Sequence, residues 1–326
     1  MTTSNLPPLV TVFGGSGFVG RHVVRALAKR GYRIRVAVRR PDLAGFLRPL
    51  GYAGQIQLVQ ANLRYRASVD QAVAGSAHVV NCVGILFESG KNNFDAVQEF
   101  GAKAVAEAAR AAGATLTHIS AIGADAQSPS AYARSKGRAE QAIRETLPGA
   151  VILRPSIVFG QEDNFFNKFA DMARTLPFLP LIGGGHTKFQ PVFVEDVAEV
   201  VARSVDGTLA AGTTYELGGA EVLTFKQCLE EVLRVTFRKR GFVSIPFGIA
   251  SLMGSIASAV PLIAPPLTAD QVTLLKKDNV VSADAEREGR TLKGLGIAPT
   301  LLSSILPSYL VRFRVHGQYT NAGKAA

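Results

Sequence analysis

The sequence predicts an α/β fold, with a doubly wound parallel sheet in the first half and a smaller, mostly helical C-terminal lobe behind it. Three observations predict it. Short apolar runs alternate with segments of helical spacing up to Gly160, a glycine-rich turn joins the first run to the first helical segment, and the register loosens after Gly160. Strands separated by helices require right-handed crossovers, which cover a parallel sheet on both faces.

The elements follow in order. Leu9–Phe13 is an apolar run ending in glycines, and Arg21–Arg30 places Val23, Val24, Leu27 and Ala28 on one helical face before stopping at Gly31. Arg33–Val38 alternates as a strand does, and Ile56–Val59, His78–Val83, Leu116–Ile119 and Val151–Leu153 are further strand candidates. Val97–Ala112 is an alanine-rich helix closed by Gly113. Beyond Gly160, Asn164–Thr175, Val194–Val205 and Thr224–Phe237 read as helices. The domain reading is 1–160 as a nucleotide-binding, Rossmann-type domain and 161–318 as a smaller lobe sharing strands with it, with 319–326 as a loose polar tail.

Composition narrows the function. A chain of 326 residues that is 47% hydrophobic and 19% charged can build a sizeable core, which excludes a disordered, collagenous or coiled-coil protein. Two cysteines, Cys82 and Cys228, cannot form a disulfide framework or a cysteine-rich zinc site. Five scattered histidines propose no metal site, and no nucleic-acid module is recognisable. The net charge of +11 is unevenly spread: residues 1–66 carry eleven basic residues and one acid, residues 67–232 thirteen and nineteen, and residues 233–326 twelve and five. Met1–Pro8 lacks the basic and apolar regions of a secretory signal, so none is expected. The uncharged run 242–269 is broken by Pro246, Pro261, Pro265 and Pro266, and its longest proline-free piece has fourteen residues, too short to span a ~30 Å hydrocarbon core.

Gly14, Gly15, Ser16, Gly17, Phe18, Val19 and Gly20 form a G-x-x-G-x-x-G turn between the first strand and the first helix. Glycines there let the backbone approach a pyrophosphate, which the free N–H groups of the helix N-terminus then hold. Arg21, in the first helical turn, is a second phosphate candidate. An acid at the end of the second strand would select NAD through its ribose 2′-hydroxyl. Arg39 and Arg40 stand there instead, with no acid before Asp42. Two guanidiniums suit a 2′-phosphate, which favours NADPH, although both also fit as plain surface charges. Asn62 and Leu63 follow the third strand where adenine is expected, and Cys82, Val83 and Gly84 end the fourth, where a small backbone lines the cofactor ribose. Cys82 reads as a core residue rather than a nucleophile.

Ser120 ends the fifth strand, and Tyr132 and Lys136 follow at i and i+4, on one face of a helix. An ammonium beside a phenol lowers its pKa, and the serine would hold a carbonyl or alcohol oxygen.

With these residues the chain resembles the extended, epimerase-like branch of the short-chain dehydrogenase/reductase superfamily. The phrase Arg154–Gly160, with Pro155, Ser156 and Ile157, resembles that superfamily's nicotinamide loop, and Gln190–Asp196 resembles its strand-to-helix signature. A narrower resemblance, carried by Thr11–Arg21, Arg154–Asp163, Phe166–Ala170, Gln190–Val194 and Leu295–Thr300, is to the NADPH-binding accessory subunits of respiratory complex I. It implies a non-catalytic subunit in which bound NADPH serves structure, seated near the quinone site where the peripheral and membrane arms meet. It also implies a peripheral place on the cytoplasmic face of a bacterial inner membrane, or on the matrix face of the mitochondrial one. In that setting the apolar segment 242–269, flanked by Arg238–Arg240 and Lys276–Lys277, reads as a docking surface for a partner or an anionic membrane. The alternative is a soluble NADP-dependent reductase, or sugar-nucleotide epimerase or dehydratase, using Ser120, Tyr132 and Lys136. Ser120-Ala-Ile-Gly-Ala lacks the hydroxyl-rich cluster usual in active relatives.

Overall fold

The computed structural model describes residues 6–258 and 268–315. The tail 319–326 and residues 259–267 of the apolar segment lie outside them.

The chain opens with β1 (Leu9–Phe13), α1 (Phe18–Lys29), β2 (Arg33–Val38), β3 (Ile56–Gln60), α2 (Arg66–Val73), β4 (His78–Asn81), α3 (Phe100–Ala111), β5 (Thr115–Ile119), α4 (Ala131–Thr146) and β6 (Val151–Pro155). It then leaves this unit for β7 (Val158–Phe159), α5 (Phe166–Thr175), β8 (Phe178–Ile182), β9 (Lys188–Phe189) and β10 (Val192–Phe193). It returns with α6 (Val194–Val205) and β11 (Thr214–Leu217), and leaves again for β12 (Leu223–Thr224), α7 (Phe225–Thr236), β13 (Gly241–Ile245), α8 (Phe247–Ser258) and α9 (Ala269–Leu274). A short α10 (Ala283–Arg287) belongs to the first unit and α11 (Leu302–Leu310) to the second. The first compact unit is thus 1–155 with 194–217 and 282–295, and the second is 156–193, 218–281 and 296–326. The two are interleaved along the chain rather than consecutive.

The first unit confirms the doubly wound reading. Seven parallel strands run in the order β11-β6-β5-β4-β1-β2-β3. One face is covered by α2, α3 and α4 through a core of Val69, Val73, Val105, Leu116, Ala139 and Ile143. On α1, Val23, Val24 and Leu27 are fully buried, and the helix packs on α6. Ion pairs from Arg30 to Glu199 and to Asp206, each at 2.9 Å, stitch that helix pair at its rim. The helix expected over Val97–Ala112 forms, but a wide π turn at Asp95–Glu99 precedes its regular part.

The second unit is built on phenylalanine. Phe165 meets Phe166, Phe169, Phe189 and Phe225 at ring separations of 5.0 to 6.1 Å, mostly edge to face, which suits the ring quadrupoles. Its strands form three two-stranded pairs, β7 with β10, β8 with β13 and β9 with β12. The fragment of the apolar run that is described forms α8, with Ile249, Leu252 and Met253 more than half exposed. Among the described residues no helix is long and apolar enough to cross a membrane.

Candidate functional site

The glycine turn lies between β1 and α1 as expected. Gly14 has φ +73°, a left-handed conformation that L side chains rarely adopt. At Gly20 a Cβ would stand 2.2 Å from the Gly14 carbonyl oxygen, so only glycine lets the first helical turn close onto the loop. Gly17 caps α1 in an extended conformation with no side-chain cap bond and no acid in the first turn. Those N–H groups are what an anion requires. Arg21 folds back on the turn: its guanidinium donates to the Ser16 carbonyl at 3.2 Å and lies 4.9 Å from the Phe46 ring centroid. This cradle, which a Cβ at 20 would fill, fits a dinucleotide pyrophosphate.

The remaining cofactor candidates of the first unit lie at or just after the C-terminal ends of β2, β3, β4 and β6. Arg39 donates to Asn92 Oδ1 at 3.1 Å, while Arg40 is paired with Asp42 at 2.9 Å; both arginines are exposed. Asn62 Oδ1 accepts from the Arg64 backbone at 3.2 Å, which shapes the turn after β3, and Leu63 is buried beneath it. Asn81 Oδ1 accepts from Val83 N at 3.0 Å and so fixes the strand end before Gly84. Burial pushes the Cys82 thiol up to about 12, which makes it a neutral packing residue. Pro155 closes β6 in the first unit. Ser156 and Ile157 belong to the second, where the Ser156 hydroxyl meets the Asn279 carbonyl oxygen at 2.8 Å and Ile157 O accepts from Val192 N at 2.9 Å.

Helix α4 carries Tyr132 and Lys136. Ser130 caps it by accepting from Ala133 N, and a Cβ at Gly137 would stand 2.2 Å from Ala126 N, so the helix seats directly on the preceding loop. The Lys136 ammonium is buried, donates to the Ile119 carbonyl at 3.0 Å and stands 3.3 Å from the Cβ position of Gly84. Burial lowers its pKa to about 8. Tyr132 packs edge-on against Phe94, and burial raises its phenol to about 12. The lowered phenol pKa expected from the i, i+4 spacing is therefore absent from this geometry, because desolvation dominates.

Ser120 has an unexpected partner. Its buried hydroxyl donates to Glu140 Oε1 at 2.5 Å. Glu140, 1% exposed, is held in a fork by Arg154, whose Nε and Nη2 donate to its two oxygens at 2.9 and 2.7 Å. Arg154 also lies 3.7 Å from Glu216, whose other oxygen accepts from Ser282 N at 2.8 Å. A hydroxyl has one proton to donate, and here a carboxylate takes it. The carboxylate could not have been found from spacing, because α4 has to be laid against β5 and β6 before the two residues meet.

His118, on β5 beside these groups, was not singled out in the sequence. It is 2% exposed, and neither ring nitrogen has a hydrogen-bond partner among the described residues. Burial, with the nearby Lys136 charge, lowers its pKa to about 3. Among the described residues no group of three or more His, Cys, Asp or Glu could hold a metal ion.

Residues 10–218 match the NAD dependent epimerase/dehydratase family, and the chain belongs to it. Within that breadth it is similar to NADH dehydrogenase (ubiquinone) 1 alpha subcomplex subunit 9, mitochondrial, of Arabidopsis thaliana, at 33% identity over 95% of this chain and 79% of the relative. It is also similar to a ceramide reductase of Caulobacter vibrioides, at 35% identity over 58% of each chain. An NADPH-dependent quinone oxidoreductase of Escherichia coli, solved with NADPH, shares the fold with a TM-score of 0.70 and 20% identity, over 90% of this chain and 97% of its own.

The buried imidazole has a signed pH consequence. The folded pKa of about 3 lies below the ordinary 6.5, so the unfolded chain binds a proton first as pH falls. Stability contributed by neutral His118 is complete above pH 6.5 and lost on descending toward pH 3, by up to about 5 kcal/mol. Denaturant melts from pH 7 to 4 should show this loss in the wild type relative to His118→Leu. Parallel curves would refute it.

Proposed function

We propose that this chain is a nucleotide-binding accessory subunit of respiratory complex I that holds NADPH without turning it over. The observation that carries the reading is the diversion of Ser120 to Glu140. A reductase of this class needs a hydroxyl to polarise a carbonyl oxygen and a phenol whose pKa lies near the working pH. Ser120 is committed to a carboxylate, and Tyr132 is neutral with its pKa raised to about 12. Lys136 remains useful for binding, since an ammonium at the end of β5 can hydrogen-bond a ribose. The similarity to the plant subunit, over 95% of this chain and 79% of the relative, supports the assignment.

The subunit's partners on this reading are the complex I chains near the quinone site. It sits peripherally, on the cytoplasmic face of a bacterial inner membrane or the matrix face of a mitochondrial one. The exposed side chains of α8 and the neighbouring Lys276, whose ammonium lies 5.9 Å from the Phe247 ring centroid, suit contact with an anionic membrane surface. A soluble carbonyl reductase is the second reading. It is favoured by Tyr132 and Lys136 sharing one face of α4 and by the similarity to the ceramide reductase.

Solubilised membranes separated by native electrophoresis should carry the chain in a large quinone-reducing band with NADPH bound, and Tyr132→Phe should leave both unchanged. A chain found only as a free oligomer, or rapid NADPH oxidation by a small carbonyl substrate, would favour the reductase. Arg39→Asp combined with Arg40→Ala should weaken NADPH binding by about tenfold or more while NADH changes little. Equal losses would reject the 2′-phosphate assignment. Leu252→Asp with Met253→Asp should cut co-sedimentation with phosphatidylglycerol-containing vesicles about fivefold. Unaltered sedimentation would move α8 from lipid to protein contact.

A further inference from the structure

The two edges of the seven-stranded sheet are finished differently. At β11 the 282–295 segment closes the edge: Glu216 N donates to the Arg290 carbonyl at 2.9 Å, and the Arg290 guanidinium donates to the Thr214 carbonyl at 2.7 Å. At β3 nothing comparable is present among the described residues. There Gln55 O accepts from Ile34 N at 2.8 Å and Ala61 N donates to Val38 O at 2.9 Å, so the odd-numbered positions of this run bond to β2. The backbone groups of Ile56, Leu58 and Gln60 face the other way, and among the described residues they have no hydrogen-bond partner.

An open edge accepts any extended chain unless a charge, a proline or a bulge blunts it. The β3 sequence Ile-Gln-Leu-Val-Gln has no charge and no proline, and its register with β2 is unbroken. Beside it lies a cavity of ≈ 530 Å³ lined by Arg48, Tyr52, Gly54, Ile56 and Leu58. Its rim is fixed: the Gln55 side chain donates to the Ala28 and Tyr32 carbonyls and accepts from Tyr52 N at 2.8 Å. Arg48 precedes the strand and Arg64 follows it, and neither meets a carboxylate among the described residues. The one acid of residues 1–66, Asp42, is already taken by Arg40 at 2.9 Å.

We propose that β3 is a docking edge for an extended, acidic segment of a partner protein, added as an eighth strand with carboxylates toward Arg48 and Arg64 and an apolar side chain in the Tyr52 basin. Main-chain bonds would supply the affinity and the basin and arginines the selectivity, as in other strand-addition interfaces. The partner's setting rests on the accessory-subunit reading; the edge chemistry does not.

The test places photoreactive benzoylphenylalanine at Gln57, whose side chain is exposed, irradiates intact cells and sequences the crosslinked peptides. Hydrogen exchange of the Ile56, Leu58 and Gln60 amides is then compared between the isolated chain and membrane-extracted material. The expected result is a crosslink to an acidic extended segment of another protein and about tenfold or greater slowing of those three amides. The crosslink should fall about fivefold in Arg48→Glu and in Gln60→Pro, which removes only an outward N–H, with NADPH retention unchanged in both. A crosslink to residues 56–60 of a second copy, to a helix, or to nothing overturns the proposal. Co-migration with the quinone-reducing assembly but unprotected β3 amides would sink the docking edge alone. Protected amides without co-migration would sink the accessory-subunit reading alone.

Discussion

Glu140 is a carboxylate that cannot reach water, and much of the first unit is arranged around that fact. A buried ion stripped of its partner costs about 3 to 5 kcal/mol, so the forked Arg154 contact constrains where α4 lies on β5 and β6. The same cluster reaches β11 through Glu216 and the 282–295 segment through Ser282. The helix that carries Tyr132 and Lys136 is therefore oriented by the charge that also occupies Ser120. Structure and reactivity make competing demands on Ser120, and its hydroxyl is engaged by the carboxylate.

This competition explains which parts of the site were legible in the sequence. The glycine turn and the Tyr132–Lys136 pair could be read because their chemistry depends on residues a few positions apart. Gly20 closing on Gly14 is a matter of local backbone. Ser120 could be placed at the end of β5, yet its partner is twenty residues away on another element, and apolar spacing does not report such a pairing. The Tyr132 pKa differs from the sequence expectation for a related reason: helix geometry puts Lys136 nearby, but only the packed structure shows Lys136 buried, Tyr132 partly so, and desolvation raising the phenol. In the sequence His118 is one more scattered histidine; its burial depends on β5 lying inside the sheet, between β6 and β4.

The fold class was equally readable, because β–α alternation is a local signal, and the observed strand order agrees with it. The route of the chain was not. β11 and the segment that covers it come from stretches whose neighbours in sequence belong to the other unit, and no change of composition marks either crossing. The N-terminal excess of basic residues is likewise resolved only in space. Arg30, Arg66 and Arg40 are neutralised within the chain, whereas Arg48 and Arg64 meet no carboxylate among the described residues.

The interleaving has a consequence for the order of events during synthesis. Domains generally fold as units while the chain emerges N-terminus first. Here the nucleotide turn is among the earliest residues made, yet the sheet it belongs to gains its last strand only at Leu217 and that strand's cover only with residues 282–295. From the completion of β6 at Pro155 until β11 is made at Leu217, the nascent chain therefore presents a six-stranded sheet with β6 open where β11 will pair. Contacts of such long sequence separation form slowly. A newly made molecule thus spends its longest vulnerable interval with six strands assembled and the seventh still to arrive.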